Sequence, residues 1–407
     1  TNQFIKGVGK WETDIDKVFT ENSDIIQVHG HRNPNYEEQR PDLNSYSLED
    51  RVEFGGNLRV LVLEDDNIFM SKIKNTVFKE KQEIPEIKKE PLTEDNLVEV
   101  LRNDVHIKET ILDDNISSFN FTRDAFENKV WTKETVKARG LFIDTSINKI
   151  VARGYEKFFN INEMEFTKLF NLKILFESDE PVISYKKYNG FLGILSYYHG
   201  KLQFHSKSSN KGDYANYFKD LFYKQFNNSQ VEYFTNYLEK NNRSLTFEVI
   251  DIENDPHIIE EKESRVVLLD IIYNELEFKK EPYDKLVEFA NKGKISNQYY
   301  KQIYTIIPTY RDLIELYEKH KDELNMEDED IEGVVIECGK FMTKLKFNYY
   351  YFWKHLRSVS ESVLCGRKVR TGSLLNETSY LFYKFLKDKY DEDEAVLRFA
   401  RKLKGMG

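Results

Sequence analysis

Apolar residues follow several textures along this chain. Near the front, short runs read as strands: Ile25-Ile26-Gln27-Val28, and Leu58-Arg59-Val60-Leu61-Val62-Leu63 behind a Gly55-Gly56 turn. Residues 72–113 turn charged and carry Pro85 and Pro91, which predicts an exposed linker. Within that stretch Thr93 reads as a helix N-cap, with Glu94 and Asp95 in the first turn. Leu97, Val98, Leu101 and Val105 would form the apolar stripe of that helix. From about 120 to 350 the two periods mix. Strands are predicted at 140–144, 191–197, 245–250 and 333–337, and helices at 213–225, 230–240, 283–291 and 310–322. Beyond Tyr351 a spacing of three to four predicts helices over 375–387 and 392–404.

Composition narrows the classes. With 407 residues, two or three domains are expected. A hydrophobic content of 40% supports real cores and excludes global disorder. The formal charge of −10 excludes an overall basic coat, so any contact with nucleic acid must come from a local groove. Cys338 and Cys365 are the only cysteines, which excludes a disulfide framework and suits a reducing compartment. No apolar run approaches the length of a membrane span, and Thr1-Asn2-Gln3-Phe4-Ile5-Lys6 lacks the layout of a signal peptide. A cytoplasmic protein with no membrane partner is expected.

The candidate chemistry lies in four fragments. Tyr185-Lys186-Lys187-Tyr188-Asn189-Gly190 places a lysine after apolar Val182-Ile183, with a glycine turn behind it. Alone, this spacing is common among surface lysines. Ser244-Leu245-Thr246-Phe247-Glu248-Val249-Ile250 sets an acid in an apolar strand, which costs several kcal/mol unless it is paired. Ile331-Glu332-Gly333-Val334-Val335-Ile336 repeats the pattern. Lys344-Leu345-Lys346 puts two lysines on one face of a strand. Each fragment has a bland reading as an edge acid or a solvated basic face. All four in this order are far less expected by chance.

The ordered set resembles the covalent nucleotidyltransferase superfamily of ATP-dependent ligases and capping enzymes. Lys187 matches its nucleophile motif KxxG, Glu248 its strand acid, Glu332-Gly333 its EGxV, and Lys344 and Lys346 its KxK. Ala138-Arg139-Gly140-Leu141-Phe142, Ala152-Arg153-Gly154-Tyr155-Glu156-Lys157-Phe158-Phe159-Asn160 and Ser206-Lys207 look like the phage type-one RNA ligase branch. Asn189 stands where that branch usually carries an acid, and Lys-x-Asn-Gly is closer to the tRNA ligase form. The resemblance covers about residues 135–357. It implies an α+β chain: an antiparallel-sheet nucleotidyltransferase (ATP-grasp-like ligase) domain with a helical C-terminal region and a β-rich N-terminal remnant. It implies an ATP-dependent RNA ligase using Mg²⁺ or Mn²⁺, which joins 5′-phosphate and 3′-hydroxyl RNA ends, tRNA among the candidates. Lys187 would carry AMP. Glu248 would hold the ribose or the nucleophile region, and Glu332 would bind metal or orient Lys187; both are the expected metal ligands. Lys344 and Lys346 would hold the α-phosphate. Arg139, Lys157 and Lys207 would take the β- and γ-phosphates, with Gly190 completing the ATP-binding set. An ordinary lysine has a pKa of about 10.4. Cations and burial around Lys187 are therefore expected to lower it and free the amine for attack.

The front segment carries a second signal. His29-Gly30-His31 follows the first strand and is a possible metal pair, although a bare HxH is more often two solvated histidines. With Leu48-Glu49-Asp50 and Phe54-Gly55-Gly56, the stretch looks like the tail of a calcineurin-like metallophosphoesterase whose earlier metal motifs are missing. The expected organisation is a phosphoesterase remnant over 1–66, a charged linker and helix over 67–118, a nucleotidyltransferase domain over 119–350 and a helical domain over 351–407. End-healing kinase or phosphatase activity is expected upstream in the same polypeptide. Other readings are a DNA ligase or capping enzyme, a retired nucleotide- or RNA-binding module, and a phosphoesterase acting mainly through upstream residues. Helical text after residue 351, where an OB-type barrel would otherwise follow, favours RNA ligase. The run Tyr349-Tyr350-Tyr351-Phe352-Trp353-Lys354-His355-Leu356-Arg357 reads either as a core helix or as an RNA-gripping surface.

Overall fold

Strand text near the front pairs as its alternation requires. In the computed structural model, β1 (Gln27–His29) lies parallel to β3 (Ser45–Ser47), and β2 (Gln39–Arg40) lies antiparallel to β3. β4 (Asn57–Glu64) and β5 (Asn67–Lys74) form a hairpin in continuous register from Asn57↔Lys74 to Glu64↔Asn67. The structure describes residues 26–30, 39–40, 45–50, 52, 56–64, 67–76, 92–112, 115–255, 257–259, 261–321, 331–365, 367, 369 and 374–390. The chain divides into two compact units, Thr1–Pro91 and Leu92–Gly407. In the first, Arg59 is buried and its guanidinium donates to Asp50 Oδ1 at 2.8 Å. Residues 67–74, expected as linker, are strand instead. Their charges sit on exposed positions, and Ile68 and Met70 keep the two-residue alternation.

The second unit begins with a helix, Leu97–Asn103, that buries Leu97, Val98 and Leu101. Asn96 flanks the helix but its side chain caps none of the helix N–H groups. Thr93, three residues earlier, accepts from Asn96 N–H and donates its own N–H to Asn96 Oδ1, the reciprocal pair of a capping box, as expected of an N-cap threonine. Val105, expected on the stripe, lies beyond the helix end and is exposed. The helix covers an antiparallel sheet of order β6-β7-β8-β9: β6 (Ile107–Ile111), β7 (Ile116–Phe121), β8 (Leu141–Asp144) and β9 (Lys149–Arg153). Residues 107–111 and 116–118, expected as linker, therefore belong to a sheet.

Two larger sheets build the centre of this unit. One has the order β13-β12-β14-β15 and is wholly antiparallel: β12 (Phe191–Tyr198), β13 (Lys201–His205), β14 (Arg243–Ile250) and β15 (Arg265–Tyr273). The helix Asp213–Gln225 turns Ala215, Phe218 and Phe222 inward, and the helix Asn228–Lys240 adds Phe234 and Leu238. Together with Phe247 and Phe289 they form an aromatic core. The other sheet has the order β10-β18-β17-β11-β16: β10 (Phe159–Asn160), β11 (Ile183–Lys187), β16 (Ile303–Ile306), β17 (Gly333–Cys338) and β18 (Phe341–Lys346). Only β10 against β18 is parallel there. Its core includes Leu172, Leu313, Val334, Ile336 and Phe347.

Four charges fasten one sheet to the other. Lys280 Nζ reaches Asp270 of β15 at 3.1 Å and Glu337 of β17 at 2.7 Å. Lys301 Nζ reaches the same carboxylates at 3.1 and 2.6 Å. The lysines hold the Asp270 carboxyl below its usual range although burial pushes it up. The C-terminal text is helical as expected, over Asn348–Leu364 and Glu377–Tyr390. The first of these helices crosses the boundary expected at residue 350; the helix expected at 392–404 and the Pro85–Pro91 linker lie outside the described residues.

Removing one buried cation from this ring leaves two buried carboxylates sharing a single lysine. Lys301→Met should destabilise the second unit by about 3–5 kcal/mol, read as a lower midpoint in chemical denaturation. An unchanged midpoint would show that the ring adds nothing.

Candidate active site

Strand register places the central residues. Lys187 ends β11 opposite Gly333 of β17, and Gly333 faces Lys346 of β18 on its other side. Three strands thus carry two lysines across one glycine, with Glu332 just before it. Glu332 is held by its own backbone: its N–H donates to the Lys187 carbonyl at 2.9 Å, and its carbonyl accepts from Phe347 N–H at 3.1 Å. Gly333 has φ +154°, and a Cβ there would lie 2.1 Å from the Leu345 carbonyl oxygen. Only glycine allows this turn into the strand.

The side chains complete a bridge. Lys187 Nζ donates to Glu332 Oε2 at 2.6 Å, and Lys346 Nζ meets the other oxygen, Glu332 Oε1. The Glu332 side chain is only 5% exposed, so the carboxylate exchanges most of its water for two ammonium groups. The turn Tyr188-Asn189-Gly190 then crosses from β11 to β12 in the other sheet. Gly190 N–H donates to Glu248 Oε1 at 2.9 Å, and a Cβ on Gly190 would stand 2.3 Å from the Val249 carbonyl oxygen. Asn189 is buried, and its side-chain amide oxygen is the atom suited to the Ile258 and Ile259 N–H groups, at 3.3 and 3.1 Å. An acid at this position would serve those donors as well, so the asparagine leaves the turn without an extra charge.

These groups line a cavity of about 400 Å³ between the two sheets. Arg139, Lys157, Lys187, Gly190, Glu248, Glu332, Lys344 and Lys346 all border it. Lys207 does not. It is exposed, on the loop after β13, with its amine 5.9 Å above the Phe121 ring. Arg139 is anchored through Nη1 to the Tyr155 carbonyl at 3.2 Å, and Lys157 is paired to Glu163 at 3.0 Å. Lys301, Glu337 and His257 also border the cavity, although their sequence neighbourhoods do not mark them, as do Tyr155 and Tyr350 from stretches the sequence singles out without naming them as site residues. Tyr350 comes from the aromatic run, which proves mixed. Tyr350, Phe352 and Leu356 are buried, while Tyr351 and Trp353 are exposed. Seven cationic side chains line the cavity (Arg139, Lys157, Lys186, Lys187, Lys301, Lys344 and Lys346) against the carboxylates Glu248, Glu332 and Glu337. An acidic chain therefore holds a local anion site.

Electrostatics correct one expectation. Burial pulls the Lys187 amine down, but Glu332 and Glu248 outweigh it, and its pKa stands above the ordinary lysine value. The expectation of a lowered value counted the cations and missed the salt bridge. The lysine that is lowered is Lys344. Burial first, then Lys157, Lys187 and Arg139, push it down to about 7. Glu332 is held below the carboxylate range by Lys187 and Lys346 against its burial. Glu248 is raised, mainly by burial and by the nearby Glu332, with Lys187 pulling the other way.

Among the described residues no group of three or more His, Cys, Asp or Glu is placed to hold a metal ion by itself. Glu248 and Glu332 offer two carboxylates in one cavity. That suits a hard cation taking phosphate oxygens and waters as its other ligands. His29 ends β1 in the first unit, while His31 lies outside the described residues.

A nucleophile-spaced lysine, two acids and a cationic cavity between two sheets define a nucleotidyl-transfer site in outline, and comparison with known proteins names the family. The model for RNA ligase matches residues 137–355, more than half of the chain. The chain belongs to the RNA ligase family. A tRNA ligase of Candida albicans is 27% identical over 281 residues, covering 58% of this chain and 32% of that protein. The chain thus spans about a third of the length of that curated relative. An archaeal ATP-dependent RNA ligase structure is 12% identical with a TM-score of 0.44, covering 75% of this chain and 73% of that one. A structure from Aquifex aeolicus assigned as an ATP-dependent DNA ligase is 13% identical with a TM-score of 0.43, covering 76% and 75%. A Naegleria gruberi RNA ligase with PPi is 17% identical with a TM-score of 0.36, covering 46% and 56%. Likenesses at this level carry no argument about chemistry.

The two pKa directions predict a reactivity order. A neutral amine reacts with acylating reagents and an ammonium does not. Near pH 8, trace acetic anhydride should modify Lys344 well ahead of Lys187 in the free protein, as read by peptide mass spectrometry. Faster labelling of Lys187 would contradict the bridge.

Proposed function

We propose that this chain seals RNA by an ATP-dependent route in which Lys187 becomes covalently adenylylated. The observation that carries the reading is the position of the Lys187 amine. It is fixed by Glu332 at 2.6 Å in a cavity lined by seven cationic side chains. In the first step the neutral amine attacks the α-phosphorus of ATP, a P–N bond forms and pyrophosphate leaves. Arg139, Lys157, Lys344 and Lys346 balance the phosphate charge, which is most of what a protein contributes to such a transfer. Glu332 has two parts. It aims the amine, and in the free protein it keeps that amine protonated and inert. The proton must leave before attack, and the nucleotide's arrival in the cavity is what disturbs the bridge. Mg²⁺ or Mn²⁺, bound through the phosphates beside Glu248 and Glu332, would add charge neutralisation there.

AMP then passes to an RNA 5′-phosphate, and a 3′-hydroxyl displaces it. The family membership supports RNA as the class of substrate. The Candida albicans tRNA ligase relative supports broken tRNA as one candidate. The likeness of the front segment to a phosphoesterase tail supports an end-healing activity in the same polypeptide, which would provide the ends the ligase needs. No helix among the described residues is long and apolar enough to cross a membrane, and free Cys338 and Cys365 accord with a reducing, cytoplasmic setting.

Incubation with labelled ATP and Mg²⁺ should give a covalent AMP adduct that Lys187→Ala abolishes. Because the amine starts above the ordinary lysine value, the adduct should form faster as pH rises from about 6 to about 9. No adduct at any pH overturns the proposal, and labelling by GTP in place of ATP would mark a capping-type enzyme.

A further inference from the structure

A second concavity of about 270 Å³ opens beside the first and shares Tyr155, Lys157, Phe158 and Met342 with it. Its wall is part of a ladder of rings. Trp131 packs edge-on against Phe159 with centroids 5.4 Å apart, and Phe159 against Phe166 at 5.6 Å. On its other side Trp131 meets Phe121 at 5.1 Å and Phe126 at 6.2 Å. The two end rings, Phe126 and Phe166, are each 53% exposed. Half-exposed phenylalanines at both ends of a packed series, beside a reaction cavity, leave ring surface for a partner.

Cations are interleaved with these rings. Lys157 Nζ lies 3.9 Å from the Phe159 centroid and 5.0 Å from that of Trp131, and Lys207 lies 5.9 Å from that of Phe121. Lys340 lines the second concavity too. Glu163 neutralises Lys157 in the free protein, so the rings and not the net charge would supply most of the grip. Aromatic faces alternating with ammonium groups are the chemistry that holds a single strand, with bases on the rings and phosphates on the cations. This also gives Lys207 a place, outside the ATP cavity.

Reaction geometry says which strand. Phosphoryl transfer runs roughly in line. In the first step Lys187 attacks from one side and pyrophosphate departs from the other. In the second, Lys187 is the leaving group, so the incoming oxygen must approach from the side pyrophosphate vacated. The phosphate-facing cations Lys157 and Lys344 border that cavity, and Lys157 also borders the ring-lined concavity. We propose that the exposed rings at the two ends of this ladder, Phe126 and Phe166, held in place by half-buried Trp131 and buried Phe159, are the track for the 5′-phosphate-bearing RNA strand. There an RNA phosphate oxygen forms a bond to the α-phosphorus and the P–N bond breaks. Its electron pair returns to the Lys187 nitrogen, which takes a proton from water. The proposal rests on adenylylation of Lys187.

The test uses the full chain and a short, unstructured, fluorescent oligoribonucleotide with a 5′-phosphate. Phe126→Ala/Phe166→Ala should weaken its binding in fluorescence anisotropy by about tenfold or more. Adduct formation from labelled ATP should stay at the wild-type rate, which also reports an intact fold. Phe126→Tyr/Phe166→Tyr keeps the ring faces and should restore affinity. Unchanged RNA affinity in the alanine variant, with the AMP adduct still forming, overturns the track and leaves the ligase reading standing. No adduct in the wild-type chain overturns both.

Discussion

Glu332 sets one carboxylate between two lysine amines, and the geometry around Lys187 depends on that bridge. Burying an isolated carboxylate costs several kcal/mol, and a part-buried ammonium fares little better. Shared between Lys187 and Lys346, the three charges offset one another inside the cavity. The arrangement exists because β11, β17 and β18 pair in a register that places both lysines opposite Gly333. A slip of one residue would turn each lysine to the other face of the sheet. The bridge also gives the free protein a resting state, because an amine kept protonated cannot attack an electrophile.

The site lies where two sheets meet, and both its turns and its charges belong to that seam. The Lys187–Gly190 turn passes the chain from one sheet to the other, and Gly190 is pinned to Glu248 as it crosses. Deeper in, Asp270, Glu337, Lys280 and Lys301 tie β15 to β17. Tyr155 joins that ring through its hydroxyl, which donates to Asp270 at 2.5 Å, and its carbonyl holds Arg139. Arg139 is thus positioned by the same contacts that hold the sheets together. The ring-lined concavity opens beside this cavity and shares Tyr155, Lys157, Phe158 and Met342 with it.

Much of this was legible in the chain. The helices expected at 213–225, 283–291 and 310–322 are present almost to the residue, because their apolar spacing is local and unbroken. Lys187, Glu248, Glu332, Lys344 and Lys346 stood out because polar residues interrupt apolar strands there, and the structure draws all five to one cavity. Other features were hidden because pairing, not spacing, creates them. Lys301 and Glu337 are ordinary in sequence and meet only when two sheets dock. The direction of the Lys187 shift is not legible in the sequence, because counting nearby cations does not reveal which carboxylate stands at bonding distance. Residues 67–74 read as linker from the sequence because Lys72 and Lys74 follow Ile68 and Met70 on one face, so the alternation of apolar and polar residues breaks down in the second half of the strand.

The most direct test of the bridge is an NMR titration of lysine amines isotopically labelled at Nζ, with Lys187→Arg used to assign its signal. In the free protein, Lys187 should titrate above the ordinary lysine value of about 10.4, and Glu332→Gln should bring it down. A Lys187 amine already titrating below that value in the free protein, and indifferent to Glu332, would contradict the account.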